Sequence, residues 1–466
     1  MILERAAPVL AWLDPLARAF GARDHRLYLV GGLVRDLFGG HDVEGKDIDL
    51  TTDATPAEIK AVVGDLAEAV WTQGERFGTI GCRIDGQDVE ITTHRAEAYE
   101  PGSRKPDVVF ADRIEADLSR RDFTVNAMAI EVPGPVLVDP FGGLDDLLAG
   151  RLRTPVGPAQ SFSDDPLRML RAARFIAGYS LAPDDDLVAA VTAMRERLSI
   201  VSAERIRDEL DKLIVVDDPA PGLWFLVDTG LMDEFLPEIP AMRVEQDPIH
   251  RHKDVLAHTI AVVGNVAAER DGRPNRRTRL AALFHDVGKP RTRAVGDAGV
   301  SFHHHEVVGA RMTRDRMRAL RYSADDVEDV SRLVYLHLRF HTYSLGWTDS
   351  AVRRFVRDAG PLLDDLIELT RCDCTTRNKR RAAELSARMD ELEARIADLR
   401  QREELESIRP DLDGRAVMAH LGMPPGPAVG EALAHLLDLR LDQGPLDRDE
   451  ALAALDAWWA ERSETS

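Results

Sequence analysis

The hydrophobic pattern of the chain changes once along its length, and this change limits the folds that the chain can adopt. Between about residues 25 and 140, short runs rich in β-branched residues alternate with turns, as in "RLYLV", "GTIGCRI" and "QDVEITTHR". The Asp85-Gly86 pair between the last two runs is typical of a β-hairpin turn. From Phe162 onward, nearly every long segment has helical spacing instead. We therefore predict an α+β first domain, with a small sheet and flanking helices, followed by an all-α remainder.

The chain has 466 residues, which is too long for a single hydrophobic core of ordinary size. Two proline-bearing stretches, "RTPVGPAQ" near residue 155 and "EQDPIHRH" near residue 247, are candidate joints, as is the basic stretch "TTRNKRR" near residue 375. These joints predict four segments: 1–155, 156–246, 247–375 and 376–466.

Composition and charge exclude several classes of protein. The formal net charge of −21 argues against a nucleic-acid-binding surface over the whole chain, so any such surface must be a local basic patch. The cysteines Cys82, Cys372 and Cys374 are too few for a disulfide framework and are expected to be reduced thiols. No signal peptide or membrane-spanning run is present in the sequence. We expect a cytoplasmic protein with no membrane partner.

Two aspartates, Asp47 and Asp49, lie one residue apart in "GKDIDLTT". In a strand this spacing puts both carboxylates on one face, with Cα atoms about 6–7 Å apart. Carboxylates that converge to about 4 Å repel by about 4 kcal/mol at an effective dielectric constant of about 20, and a cation between them relieves this repulsion. Hard oxygen ligands favour Mg²⁺. Such a pair also occurs in solvated turns, so the surrounding residues decide between the two interpretations.

The residues around the aspartate pair favour a site for metal and phosphate. Gly31 and Gly32 end an apolar run and lead into a helical pattern, where backbone amides can approach a phosphate. Arg35, about one turn into that helix, is placed to reach the same phosphate. Glu90, in a neighbouring predicted strand, is a candidate third carboxylate for two-metal chemistry, although an exposed strand position explains it equally well.

A second charged group precedes a small apolar strand in "LSRRDFTVNAMAI". Its residues are Arg120, Arg121 and Asp122. The arginines either bind a triphosphate or pair with the aspartate in a turn, and we favour phosphate binding.

In "DDPLRMLRAARFIAGY", Asp165, Arg168, Arg171 and Arg174 recur every third residue among apolar ones. A helix so apolar should be largely buried, and its one polar stripe should face a cleft rather than solvent. Asp165 can accept a hydrogen bond from an amino group, and Arg168 can donate one to a ring nitrogen. Cytosine and adenine both present this pair of groups, whereas guanine and uracil present the reverse pattern and would leave polar groups unpaired. The stripe therefore predicts a protein template for C and A.

Six stretches, taken in order, resemble the class II tRNA nucleotidyltransferases, the CCA-adding enzymes and their poly(A) polymerase relatives. They are "LVGGLVRD", "KDIDLTT", "RRDFTVNAMA", "DPFGGLDDL", "GRLRTP" and "DDPLRMLRAARF", within about residues 27 to 215. The resemblance implies a nucleotidyltransferase head for the first segment, followed by a helical neck and body and a helical tail. The spacer "GGHDVEG" between Arg35 and Asp47 is longer than in that family but displaces no motif residue.

The resemblance also implies the chemistry. Asp47 and Asp49 are expected to hold the catalytic Mg²⁺, with Glu90 as our candidate for a further catalytic carboxylate. The residues expected to bind the nucleotide are Gly31, Gly32, Arg35, Arg121, Asp165, Arg168, Arg171 and Arg174. In that family the tRNA 3′-hydroxyl attacks the α-phosphate of CTP or ATP, and pyrophosphate leaves. The chain is thus expected to add CMP, CMP and AMP to the tRNA 3′ end without a nucleic-acid template.

Histidines recur across the helices predicted downstream, in "DVLAHTIAVV", "LAALFHDVGKPRTR", "FHHHEVVGARM" and "LVYLHLRF". Adjacent His285 and Asp286 resemble the HD superfamily of metal-dependent phosphohydrolases. This resemblance implies that His258, His285 and Asp286 bind a divalent transition metal, and Asp373 is our candidate for the aspartate that closes the site. Two further positions of binuclear members are matched by His305 and His337. Phosphohydrolase activity and a role as an RNA-contacting scaffold are both open.

A local basic patch lies at the start of the last segment. Its residues are Arg377, Lys379, Arg380 and Arg381. Since backbone contacts suffice for shape-based recognition of tRNA, we predict that this patch binds RNA.

Two other functions fit parts of the same pattern. A bacterial poly(A) polymerase would keep the aspartate pair and the base-reading residues but add only AMP. A metal-dependent phosphohydrolase would use the first domain only to sense nucleotide, but a sensor does not need both Asp47 and Asp49. A module that only binds RNA is disfavoured for the same reason.

Overall fold

The computed structural model describes residues 2–43, 45–98, 107–244, 254–267, 269–270, 273–296, 299–342, 347–374, 379–403 and 408–465. The chain forms two compact units, Met1–Pro237 and Glu238–Ser466. The predicted order, an α+β region followed by helices, is confirmed. The division into four segments stays a prediction.

The strands of the first unit's α+β region are β1 (Leu27–Val30), β2 (Ile48–Thr52), β3 (Ala69–Trp71), β4 (Thr79–Ile84), β5 (Gln87–Thr93), β6 (Arg95–Ala98), β7 (Asp107–Phe110), β8 (Ala129–Val132) and β9 (Val136–Val138). Seven of them form one sheet in the order β3-β4-β5-β2-β1-β8-β9. The helices are α1 (Ile2–Gly21), α2 (Gly32–Gly39), α3 (Pro56–Val63), α4 (Ile114–Ser119) and α5 (Gly143–Leu148). Strands β2 and β5 pair in parallel, and the other sheet neighbours are antiparallel.

The predicted hairpin between β4 and β5 is confirmed, with Asp85 and Gly86 at its turn. Helix α3 begins with a capping box, in which the Thr55 side chain accepts from the Glu58 backbone N–H and the Glu58 carboxylate accepts from the Thr55 N–H. These local signals fix where the strands and helices start, and so they fix which strand residues share a face.

The two faces of the sheet have different surroundings. Apolar residues of the first face, such as Leu50, Val89 and Ile91, belong to a core that also includes residues of α1 and α3. The second face carries Tyr28 and Val30, which pack with residues of α4. Because side chains alternate along a strand, residues next to Leu50 and Val89 lie on the second face. The candidate site is built on this second face.

The rest of the first unit is helical, as predicted. Its helices are α6 (Pro158–Asp164), α7 (Leu167–Gly178), α8 (Asp185–Met194), α9 (Ala203–Ile214) and α10 (Ala220–Asp228). A short parallel pair joins β10 (Arg151–Leu152) to β11 (Ala182–Pro183). Helix α7 is largely buried, which agrees with its apolar sequence.

The second unit is also helical. Its helices are α11 (Val255–Asn265), α12 (Arg276–Phe284), α13 (Lys289–Thr292), α14 (His305–Ala319), α15 (Ala324–Leu336), α16 (Asp349–Ala359), α17 (Leu363–Asp373), α18 (Lys379–Arg402), α19 (Gly414–Leu421), α20 (Pro427–Gln443) and α21 (Arg448–Thr465). Two small hairpins pair β12 (Glu269–Arg270) with β13 (Arg273–Pro274) and β14 (Ala294–Gly296) with β15 (Gly299–Ser301). Of the helices described, none is long and apolar enough to cross a bilayer.

Candidate functional site

Two carboxylates lie side by side on the second face of the sheet, and a third lies just before β2. The parallel pairing of β2 with β5 puts Asp49 directly beside Glu90, and Asp47 precedes Asp49 by two residues. Burial raises the pKa of Asp49, the Arg121 charge lowers it, and Glu90 and Asp47 raise it further, to about 6. A buried carboxylate that resists ionisation beside two others is stabilised by a cation, so this set fits a divalent metal.

Gly31 brings the start of α2 against this carboxylate set. Its φ is +78°, a conformation that other residues rarely adopt, and it caps the N-terminus of α2 before Gly32. A Cβ atom at Gly31 would lie 3.3 Å from Asp49 Oδ2 and 3.4 Å from Arg121 Nη1. The glycine therefore lets the backbone, a carboxylate and a guanidinium approach one another closely.

Asp117 positions Arg120 and Arg121, which together form the arginine wall of the site. Its Oδ1 accepts from Arg120 Nε at 3.1 Å and from the Arg95 backbone N–H at 3.3 Å, and its Oδ2 accepts from Arg121 Nη2 at 3.2 Å. Burial would raise the pKa of Asp117, but Arg120 and Arg121 lower it to about 2. Sequence reasoning missed Asp117, although its i, i+3 and i, i+4 spacing to the two arginines was a usable signal.

A cleft of about 330 Å³ joins these groups to the first turn of α7. It is lined by Val30, Asp49, Leu50, Thr92, Arg95, Asp117, Arg120, Arg121, Asp122, Asp165, Arg168 and Arg171. The structure thus brings Asp49 to the same cleft as the base-reading candidates Asp165 and Arg168, which follow it by more than a hundred residues in the sequence.

The two base-reading candidates are held firmly at the cleft. Asp165 Oδ2 accepts from Arg205 Nη2 at 2.8 Å, and Oδ1 accepts from the Leu167 backbone N–H at 3.1 Å. Arg168 is buried and donates through Nη1 to Ser161 Oγ at 2.9 Å, with a second bond from Nη2 to the Arg120 carbonyl. These bonds hold an acceptor and a donor at the same cleft.

Of the other two arginines of the stripe, Arg171 lines the cleft and Arg174 does not. Arg171 donates to Asp122 Oδ2 from Nε at 2.8 Å and lines the cleft. Burial would raise the pKa of Asp122, but Arg171 holds it well below its usual range. Arg174 instead donates to Glu209 Oε2 at 2.9 Å and lies outside the lining of the cleft.

Arg35 is also placed away from the cleft lining. Its guanidinium is buried, donates to Asp36 and Asn126 at 2.8 Å each, and bonds to the Tyr179 hydroxyl. The same group lies 4.0 Å from the centre of the Tyr179 ring. In this structure Arg35 joins α2 to the end of α7.

In the second unit, four histidines and two aspartates meet around a buried point. The ligand atoms of His258, His285 and Asp373 lie within 4.8 Å of one another, as do those of a second set, Asp286, His305 and His337. Among the described residues, only these sets of three have all their ligand atoms within 4.8 Å of one another. The carboxylates of the first unit, Asp47, Asp49 and Glu90, are therefore more widely spaced. The sequence-predicted residues of the HD site are thus brought together.

The histidines of this cluster present their Nε2 atoms inward. The Nδ1 atoms of His285, His305 and His337 lie 2.8, 2.8 and 2.6 Å from backbone carbonyl oxygens, which favours the tautomer with a free Nε2 lone pair. His285 Nε2 is buried 3.3 Å from Asp286 Oδ2 and 3.4 Å from Asp373 Oδ1, without a well-aligned hydrogen bond to either carboxylate. Burial would lower the pKa of His285, but Asp286 and Asp373 raise it to about 10. The cluster therefore favours positive charge at its centre and fits a divalent metal.

The predicted RNA-binding patch lies mostly outside the described residues. This applies to Arg377 and to the side chains of Lys379 and Arg381. Arg380 is exposed near the start of α18 and donates to Glu384 at 2.9 Å.

Three family models match successive parts of the chain. They are the poly A polymerase head domain at residues 27–153, a probable RNA and SrmB-binding site of polymerase A at residues 180–242, and the HD domain at residues 255–438. The first and third families imply dependence on divalent metal.

Solved structures share the fold. The CCA-adding enzyme of Bacillus stearothermophilus in complex with CTP superimposes with a TM-score of 0.73 at 22% identity, covering 99% of each chain. The CCA-adding enzyme of Thermotoga maritima complexed with tRNA gives a TM-score of 0.62 at 19% identity, over 98% of this chain and 97% of that one.

Sequence relatives differ in how much of their length is matched. The CCA-adding enzyme of Bacillus licheniformis is 38% identical over 221 residues, which is 47% of this chain and only 54% of the relative. The A-adding tRNA nucleotidyltransferase of Deinococcus radiodurans is 34% identical over 448 residues, covering 94% of this chain and 96% of the relative. The chain therefore belongs to the tRNA nucleotidyltransferase family and is a nucleotidyltransferase.

Proposed function

We propose that the chain adds CMP, CMP and AMP to the 3′ end of tRNA from CTP and ATP, in the cytoplasm, and releases pyrophosphate. The observation that carries this proposal is the single cleft that joins Asp49 and the arginine wall to Asp165 and Arg168. We also propose that the four segments act as head, neck and body, HD domain and tail.

Asp47, Asp49 and Glu90 are the residues that would hold Mg²⁺. When bound, the ion would supply activation of the attacking hydroxyl and neutralisation of developing charge. The chain contributes Asp49 and Glu90 side by side on one face of the sheet, and burial with the neighbouring carboxylates raises the pKa of Asp49, an unfavourable charge that a cation would relieve.

The arginine wall is the proposed site for the triphosphate. Arg120 and Arg121 are oriented by one buried carboxylate, Asp117, so their remaining donors face the cleft with little freedom to move. Such fixed donors stabilise negative charge that develops on the leaving pyrophosphate. Gly31, at the start of α2, provides backbone close to the same point.

Asp165 and Arg168 are the proposed readers of the incoming base. The carboxylate accepts from the amino group of cytosine or adenine, and the guanidinium donates to the adjacent ring nitrogen. Because both groups are held in place by bonds within the protein, they cannot turn to suit guanine or uracil. The carbonyl and N–H of those bases would stay unpaired at a cost of about 1–3 kcal/mol each.

A second candidate function is addition of the terminal AMP alone. It is supported by the relative from Deinococcus radiodurans, which is matched along almost its whole length and bears the name A-adding. Relatives named as CCA-adding enzymes are matched over about half of their length. A poly(A) polymerase is not favoured, because these relatives are named for action on tRNA or for CCA addition.

The catalytic assignment is tested by Asp47→Ala, which should abolish transfer of both CMP and AMP while leaving the circular dichroism spectrum unchanged. Asp65→Ala, at an exposed aspartate of the same region, is the matched control and should retain activity. Retained incorporation in Asp47→Ala would refute the metal assignment.

The HD cluster is proposed to bind a divalent transition metal through His258, His285, Asp286 and Asp373. Replacement of His285 by alanine should lower the metal content per chain measured by mass spectrometry after dialysis. An exposed histidine, His304, provides the control. Equal metal content in the two variants would contradict the proposal.

The basic patch is proposed to contact the tRNA backbone. Neutralising Arg377, Lys379, Arg380 and Arg381 together should lower tRNA affinity steeply and reduce its dependence on salt. Unchanged affinity would refute the patch.

A further inference from the structure

A tryptophan lies in the same row of the sheet as the catalytic carboxylates. The pairing register places Asp49 beside Glu90, Glu90 beside Gly81, and Gly81 beside Trp71. Directly paired residues point to the same face of a sheet, so the four positions form one line on the second face. From the edge strand inward, this row consists of Trp71, Gly81, Glu90 and Asp49.

The absence of a side chain at Gly81 leaves space for the indole of this tryptophan. A Cβ atom at Gly81 would lie 1.8 Å from Trp71 Nε1 and 2.3 Å from Cε2, so the indole occupies the space where a side chain would stand. The ring therefore reaches across β4 toward Glu90, to within about one strand spacing, or about 5 Å. Trp71 is partly exposed, and its indole N–H has no acceptor among the described residues.

The row and the arginine wall extend from Asp49 in opposite directions. Arg121 approaches Asp49 from the side of Gly31, at the end of β1, whereas Glu90 and Trp71 follow on the side of β5, β4 and β3. In phosphoryl transfer the attacking and leaving oxygens are roughly in line across the phosphorus. If the wall holds the leaving pyrophosphate, the attacking 3′-hydroxyl comes from the side of Trp71.

We propose that Trp71 stacks on the 3′-terminal base of the RNA that receives the nucleotide. An indole face is suited to unpaired bases because every base has a flat aromatic surface, and such stacking does not depend on sequence. The free N–H adds one donor for a hydroxyl or carbonyl of that nucleotide. This assignment rests on the proposed function, and it makes β3 and β4 the primer side of the cleft.

The test uses the full chain and an acceptor-stem RNA whose 3′-terminal base is 2-aminopurine, titrated without nucleoside triphosphate. Binding to the unsubstituted protein should quench the 2-aminopurine emission. Trp71→Ala should abolish the quenching and raise the Kd of the RNA about 5- to 150-fold, the range expected for loss of one stacked base. Trp71→Phe should retain most of the affinity. Val70→Ala, on the opposite face of the same strand, is the matched control and should bind normally.

A second variant separates ring position from ring loss. Gly81→Ala should displace the indole and weaken RNA binding, but it should have no further effect in a Trp71→Ala background. Additive effects would overturn the proposal, as would an unchanged Kd and unchanged quenching in Trp71→Ala. A raised KM for nucleotide with unchanged RNA affinity would also overturn it. If the unsubstituted protein transfers no nucleotide, the proposed function fails instead.

Discussion

Asp117→Asn should damage both stability and nucleotide binding, because one buried carboxylate holds the two arginines of the cleft wall. The side chain of Asp117 is 1% exposed, and its two oxygens accept from Arg120 and Arg121. Its pKa falls from 3.8 to about 2. At 1.36 kcal/mol per pKa unit, this shift corresponds to about 2 kcal/mol of stability at neutral pH.

The amide should cost about 2–3 kcal/mol, near the low end for breaking a buried ion pair, because both arginines are partly exposed and can regain water. Since the folded-state pKa lies below the unfolded one, the stabilisation is complete above about pH 4 and is lost as the pH falls toward 2. The difference between the two proteins should therefore shrink over that range.

Urea unfolding at pH 7 measures the stability change, and steady-state kinetics measure the nucleotide. We expect the KM for CTP and ATP to rise about tenfold, as for the loss of about 1.4 kcal/mol of binding. Asp88→Asn is the control, because Asp88 also bonds to an arginine, Arg83, but its side chain is 55% exposed. It should change neither quantity. An unchanged KM in Asp117→Asn would refute the positioning role.

Three further substitutions test other parts of the site. Asp49→Asn should abolish transfer yet raise the melting temperature measured in chelator at pH 7. The raised pKa of about 6 means that ionised Asp49 destabilises the metal-free fold above that pH, and this penalty disappears below about pH 4. An equal or lower melting temperature would contradict this. Gly31→Ala should cost about 1–3 kcal/mol of stability, measured by urea unfolding, because a φ of +78° is strained for any other residue. It should also lose most of the activity, because the added Cβ would press on Asp49 Oδ2 and Arg121 Nη1 at 3.3 and 3.4 Å; wild-type kinetics would refute this reasoning. Arg205→Ala should raise misincorporation from GTP and UTP, measured as single-nucleotide transfer, because Asp165 loses the donor that holds it; unchanged selectivity would show that Asp165 needs no such support.

Much of the fold could be predicted from local patterns. The alternation of apolar residues around Asp47 and Asp49, and the turn after β4, depend on neighbours in sequence, and both identify strands correctly. The pairing of Asp49 with Glu90 depends on the register of two strands separated by a helix and a hairpin, which periodicity does not specify. For the same reason, the row that ends in Trp71 could not be predicted.

The stripe on α7 shows how helical geometry limits such predictions. With 3.6 residues per turn, each three-residue step falls about 60° short of a full turn. Asp165 lies just before α7 in extended backbone and lines the cleft together with Arg168 and Arg171. Arg174, two steps after Arg168, faces Glu209 instead. The position of Arg35 could not be predicted for another reason: its partners Asn126 and Tyr179 are distant in sequence.

CCA addition can be measured from the products formed on tRNA that ends at the discriminator base. With CTP alone, we expect addition of two CMP residues. With CTP and ATP together, we expect one further AMP and then a stop. A protein that ignores CTP and adds a single AMP only to tRNA already ending in CC would refute CCA addition and establish the A-adding function instead. Repeated addition of AMP would contradict both.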